Sequence, residues 1–270
     1  MDIRSVLVNV DLTNTALPYA VSLATAFGAT LTGLAADEPS LALGGIEGSQ
    51  VAMDYYAVER QAIESGIAEA EARFRAAAGT GLKTEWRGRI GNATGALLDA
   101  ALGADLLVTG RTNLSMLGEQ RLADIGQLVL GSGRPVLAVG EGSSSFSADR
   151  IVIGWKDTRE ARRAVADALP FLRRASAVVA ITISEDAPSI ERSSQAQLLA
   201  WLAMHGVMAH SELIESDAGF IDVLESTARA YRADLVVTGG YGHSRMREWL
   251  FGGMTKNLIE AGTLNRLFSN

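Results

Sequence analysis

The chain has 270 residues, 48% hydrophobic and 20% charged, with a formal net charge of -7 and no cysteine. That length suits one large or two ordinary domains, and the composition excludes a disordered or fibrous chain. The negative charge excludes a general binder of nucleic acid or anionic membrane, which would need phosphate-neutralising cations, and the missing thiols exclude disulfides, zinc–thiolate sites and thiol catalysis. The start, MDIRSVLVNVDL, lacks the basic opening and long apolar core of a secretory signal. No run reaches the roughly 18 apolar residues of a membrane span. A soluble cytoplasmic protein is the expectation.

In chain order, apolar runs predict strands at Val6–Val10, Thr30–Ala35, Leu106–Thr109, Pro135–Val139, Ile151–Trp155, Val178–Ile183 and Leu235–Thr238. They do not alternate with polar residues, which suits parallel strands covered on both faces. Between them lie stretches of helical spacing, such as Ile221, Leu224, Ala228 and Tyr231, and residues 54–79 read as a long solvated amphipathic helix. Residues 38–53, apolar and glycine-containing, have no counterpart later in the chain and read as a flap or a partner contact.

The chain repeats itself. Residues 4–39 and 149–188 share one layout of strand, polar turn, Ala-rich helix and strand, and GADLLVTGR (103–111) recurs as RADLVVTGG (232–240). Each half runs through five strands joined by helices, and EGSSSFSAD (141–149) has linker composition. Two α/β domains are expected, 1–140 and 149–270 with 141–148 as linker, each an open parallel sheet. Packed about an approximate two-fold axis they form an intrachain pseudo-dimer; a homodimer of chains stays open.

The stretch TGGYGHSRMREWLFGGMTK (238–256) concentrates the chemistry. Gly239, Gly240 and Gly242 follow a parallel strand, at whose carboxyl end open α/β sheets bind ligands. Gly252 and Gly253 precede a helical stretch ending at Gly262, and a helix N-terminus offers unpaired N–H groups to an anion. Thr255 adds a hydroxyl, and His243, Arg245 and Arg247 lie within the loop. The bland alternative is that these glycines only make turns and let helix pack on strand. The first half has GRTNLSMLGEQRLADIG at this place, without the glycine pair, which favours a ligand over the bland reading. Neither G-x-x-x-x-G-K-S/T nor G-x-G-x-x-G is present. His205, His210 and His243 have no metal-binding spacing, and no G-x-S-x-G elbow occurs, so no catalytic or metal residue is assigned.

These residues resemble a tandem universal stress protein, over nearly the whole of both halves. The pattern G-x2-G-x9-G-S/T after the fourth strand is matched by Gly239, Gly242 and Gly252, with Gly253 where Ser or Thr is usual and Thr255 nearby. The resemblance implies two doubly wound, open, five-stranded parallel sheets of adenine-nucleotide α-hydrolase-like, Rossmann-like type, with strand order 3-2-1-4-5. It also implies ATP, with or without Mg, bound through the loop. The family's aspartate after the first strand is kept as Asp11 in the first half, whereas the second half has Lys156 there and Asp157 one residue on. Lys156 accepts no hydrogen bond but pairs with phosphate. Trp155, Lys156 and Asp157 are expected to flank base or ribose.

In the first half Asn113, Leu122 and Ala123 replace loop glycines and Asp124 starts the helix, so one ATP is expected per chain, in the second half. The function implied is a nucleotide-responsive binding protein with an unidentified protein partner, and at most a slow ATPase. The rivals are a member that has lost ATP and works by protein contacts, and an ATP-consuming enzyme on the same scaffold. The C-terminal GTLNRLFSN departs from the first half's GRPVLAV, with Asn265 for proline and Arg266 for an apolar residue. On an edge strand an arginine is tolerable, and it is expected to weaken pairing between the halves.

Overall fold

The computed structural model describes residues 2–10, 16–39, 50–110, 123–184, 188–216, 220–240 and 263–270. The first half contains β1 (Ser5–Asn9), α1 (Leu17–Phe27), β2 (Thr30–Asp37), α2 (Gln50–Ala78), β3 (Thr84–Ile90), α3 (Ala93–Ala100), β4 (Leu106–Gly110), α4 (Ile125–Gly131) and β5 (Val136–Val139). The second contains β6 (Arg150–Gly154), α5 (Arg159–Leu172), β7 (Ala177–Ser184), α6 (Pro188–Met204), β8 (His210–Glu215), α7 (Phe220–Ala230), β9 (Leu235–Gly239) and β10 (Asn265–Ser269). Among the described residues no helix is long and apolar enough to cross a membrane.

Among the described residues the strands join one ten-stranded sheet, ordered β3-β2-β1-β4-β5-β10-β9-β6-β7-β8. Each half is parallel and runs 3-2-1-4-5, and the halves meet through an antiparallel β5–β10 pair. Leu107 pairs with Val136 in the first half, as Val236 pairs with Arg266 in the second. Arg266 therefore takes the register of Val136, and Asn265 that of Pro135. Across the junction Leu137 faces Leu267, flanked by Val136–Phe268 and Ala138–Arg266. Leu137 and Leu267 are equivalent residues of the repeat, so the local two-fold axis passes between them.

The C-terminal strand is not an edge strand. β10 lies between β9 and β5, bonded to both. Asn265 strengthens the junction where proline could not: its Oδ1 accepts from the Gly140 N–H at 2.9 Å, and its Nδ2 donates to the Asp234 carbonyl at 3.0 Å. Arg266, 1% exposed, is ion-paired with Glu225 of α7, which also holds Arg229 at 3.1 Å. Burial lowers the Arg266 pKa from its ordinary value, and the Glu225 charge and hydrogen bond oppose that shift.

The two faces of the sheet differ. On one face, α1, α2, α5 and α6 cover a core that runs continuously across both halves. On the other, Val136, Ala138 and Phe268 pack with α3 and α4, while Val152, Val179 and Val236 pack separately with α7. The Arg266–Glu225 pair stands between these two clusters. Residues 141–149 contribute to the interface, because Phe146 packs against Tyr19, Phe27 and Phe171 at ring-centroid distances of 5.8, 5.7 and 5.9 Å. Arg174 lies 4.8 Å from the centre of the Phe27 ring and donates to the Ala26 carbonyl at 3.1 Å, tying α5 to α1.

Candidate functional site

Strand order reverses between β1 and β4 in the first half and between β6 and β9 in the second. The crevice beyond the carboxyl ends of such a pair is where an open α/β sheet takes a ligand. In the second half, β6 ends at Gly154 and the chain continues through Trp155, Lys156 and Asp157 into α5. Thr158 caps that helix, its hydroxyl accepting from the Ala161 N–H at 3.2 Å. Trp155 is buried in the shared core, and its indole N–H donates to Ser194 Oγ of α6 at 3.2 Å. Lys156 and Asp157 are exposed. Asp157 is tied to Arg162 at 2.7 Å, and the buried Glu160 to Arg159 at 3.2 Å. Among the described residues Lys156 has no ion pair, and its exposed ammonium lies just beyond the end of β6.

Gly239 ends β9 directly against the start of α5. A Cβ there would lie 2.5 Å from the Ala161 nitrogen and 2.7 Å from the Glu160 carbonyl carbon, both backbone. Gly239 is required for helix α5 to pack, and the first half keeps Gly110 at the equivalent place. Gly240 donates its N–H to the Ser269 carbonyl at 2.7 Å, and a Cβ on it would lie 2.5 Å from Val129 Cγ1 of α4.

The structure thus brings Trp155, Lys156, Asp157 and Gly239 to one end of the sheet. Gly242, His243, Gly252, Gly253 and Thr255 lie outside the described residues, as do Asp11, Asn113, Leu122, Arg245, Arg247 and residues 40–49 of the flap. In the first half Asp124 caps α4, its Oδ1 accepting from the Gln127 N–H at 3.0 Å. His205 stacks on Trp201 at 4.0 Å, and His210 lies 5.9 Å from the Tyr231 ring.

Residues that sequence reasoning did not single out lie beside the crevice. Thr182 and Ser184 of β7 and Gln195 of α6 are buried, and Gln195 Nε2 donates to the Glu212 carbonyl at 2.7 Å. The strand registers give the signal that finds them. Ser5 pairs with Thr30 as Arg150 pairs with Ala177, so Trp155 replaces Val10 and Thr182 replaces Ala35. Thr182 thus puts a hydroxyl where the first half has the methyl group of Ala35.

No protein-family model matches the sequence, and none of the curated proteins is significantly similar to it. A solved universal stress protein from Archaeoglobus fulgidus superposes over 100% of this chain and 97% of its own, with a TM-score of 0.73 at 16% identity. The chain has the universal stress protein fold. A putative universal stress protein from Pseudomonas aeruginosa matches with a TM-score of 0.59 at 16% identity, over 99% of this chain and 93% of its own. The same fold extends to the cytoplasmic domain of a prokaryotic cation chloride cotransporter, with a TM-score of 0.51 at 12% identity, over 98% of this chain and 95% of that one.

Proposed function

We propose that this chain is a nucleotide-responsive binding protein of the universal stress kind. It takes one ATP, with or without Mg, at the carboxyl ends of β6 and β9. Residues 1–140 and 149–270 act as its two domains, joined by the linker 141–148, and the protein works in the cytoplasm. The observation that carries the reading is the placement of Lys156, without an ion pair among the described residues, at the end of the sheet where Gly239 lies and strand order reverses. A phosphate chain there would meet a fixed positive charge and, through Gly242, Gly252, Gly253, His243 and Thr255, a glycine-rich backbone with one hydroxyl.

The reading is of a binding protein, not a dedicated enzyme, with hydrolysis slow at most. Of the described carboxylates flanking the crevice, Asp157 is paired with Arg162 and Glu160 with Arg159, which supports this reading. One observation favours the rival that works by protein contacts alone: helix packing by itself accounts for Gly239. A fluorescent ATP analogue separates the two. Gly252→Val is expected to lower affinity by more than about tenfold and Asp11→Ala to leave it unchanged, given that the loop carries most of the phosphate contact. Binding lost with Asp11→Ala and kept with Gly252→Val would place the site in the first half.

A further inference from the structure

The two halves differ at the amino ends of their strands, the end of the sheet away from the nucleotide crevice. Register aligns Leu7, Thr32, Glu85 and Arg87 with Val152, Val179, His210 and Glu212. In the second half this corner holds an aromatic ring. Tyr231 packs against the cluster that contains Val152 and Val179, its ring centre lies 5.9 Å from that of His210, and its hydroxyl donates to Glu212. The first half has no such ring among the described residues. Asp105 and Asp234 accept alike from the backbone N–H groups that open β1 and β6, and counting back from them puts Leu102 at the place of Tyr231. Leu102 is 85% exposed.

A cavity of about 150 Å³ opens at this corner of the first half, with Ser5, Leu7, Thr30, Thr32, Glu85 and Arg87 in its wall. A cavity of that size takes a benzene ring. Its polar groups exceed what the fold needs. Thr32 is 7% exposed, and its hydroxyl makes no hydrogen bond among the described residues, whereas the second half has Val179 there. The Arg87 guanidinium stands 3.8 Å from the Glu85 carboxylate, too far for a hydrogen bond, and both side chains are half-exposed. Arg87 therefore keeps the forked N–H groups that a carboxylate takes, where Glu212 in the second half accepts from a phenol.

We infer that this cavity is a second ligand site and takes a small single-ring aromatic acid. The ring lies over Leu7 and Thr32, as the Tyr231 ring lies over Val152 and Val179. The carboxylate pairs with Arg87, and a ring hydroxyl donates to Glu85 or exchanges a hydrogen bond with Thr32. The site stands apart from the nucleotide reading, because it lies in the other half and at the opposite ends of the strands.

Calorimetric titration of the full chain with meta-hydroxybenzoate tests it. The wild type is expected to bind one acid per chain with a dissociation constant of about a millimolar or tighter, within reach of a ligand of this size. Meta-hydroxybenzamide, which lacks the charge, is expected to bind at least about tenfold more weakly, the scale of one charged hydrogen bond. Arg87→Glu, which copies the second half, is expected to weaken the acid by more than about tenfold, and Thr32→Val by about fivefold. The melting temperature of unliganded Thr32→Val is expected to stay level or rise, whereas a purely structural hydroxyl would lower it on removal. Saturating ATP is expected to leave the affinity for the acid unchanged. Equal binding by the wild type and Arg87→Glu, displacement of the acid by ATP, or no heat at tens of millimolar acid overturns this inference and leaves the nucleotide reading untouched.

Discussion

Arg266 of β10 is buried in an ion pair with Glu225 of α7, at the register position that Val136 fills in the first half. The pair interrupts the apolar layer on one face of the sheet and divides it into two clusters. Removing one partner of a buried pair strands the other charge and costs about 3–5 kcal/mol, whereas replacing both by apolar groups of like volume is near neutral or stabilising. Glu225→Ala, which removes one of the partners of Arg266, is accordingly expected to lose stability by up to that scale in urea unfolding, and the double change Arg266→Met with Glu225→Leu to recover most of it. A single change of less than about 0.5 kcal/mol, the size seen at ordinary surface sites, would show that the pair is not a closed unit.

The junction between the halves admits no side chain at Gly140. A Cβ there would lie 2.3 Å from the Thr263 carbonyl oxygen and 2.5 Å from its carbonyl carbon. Backbone cannot move aside as a side chain does, so Gly140→Ala is expected to cost about 1–3 kcal/mol. The same holds for Gly239→Ala, which meets the backbone of α5. A Gly239 variant would therefore lose ligand through misplacement of the helix, and thermal melting of the two variants should show both below the wild type. A Gly239→Ala protein that melts as the wild type does would contradict the packing role.

Tyr19 is fully buried and its hydroxyl has no partner among the described residues. Burial pushes its pKa well above the ordinary value of 10.0, with the charge of Asp234 adding to the shift. The folded state keeps a proton that the unfolded chain releases above about pH 10. The stabilisation is therefore complete below that pH and is lost as pH rises beyond it, by about 1.4 kcal/mol per pH unit for one group. Tyr19→Phe is expected to match the wild type at pH 7 and to lose less stability between pH 10 and 11. Parallel stability curves for the two proteins over that interval would contradict it.

The fold was legible in the sequence where parallel strands are buried on both faces, as in Leu235–Gly239 or Arg150–Gly154. The outer strands were not, because TEWRGRI of β3 and HSELIE of β8 are polar on the open side of the sheet. β10 was less legible than the other inner strands because Asn265 and Arg266 break its apolar run. The partner that makes Arg266 tolerable, Glu225, lies 41 residues earlier and joins it only through packing of α7. The repeat placed Lys156 and Gly239 near strand ends, and β6 finishes at Gly154 and β9 at Gly239. The packing role of Gly239 depends on where α5 starts in space, and the polarity of Thr182 stands out only once strand register sets it against Ala35. Neither relation is local in sequence.

The most direct test of the central claim is a calorimetric titration of the full chain with ATP. One site per chain is expected, with affinity lowered when Lys156 is changed to Ala, since that residue brings an exposed positive charge to the end of the sheet where Gly239 lies. Two equivalent sites, or no heat of binding at millimolar ATP, would contradict it.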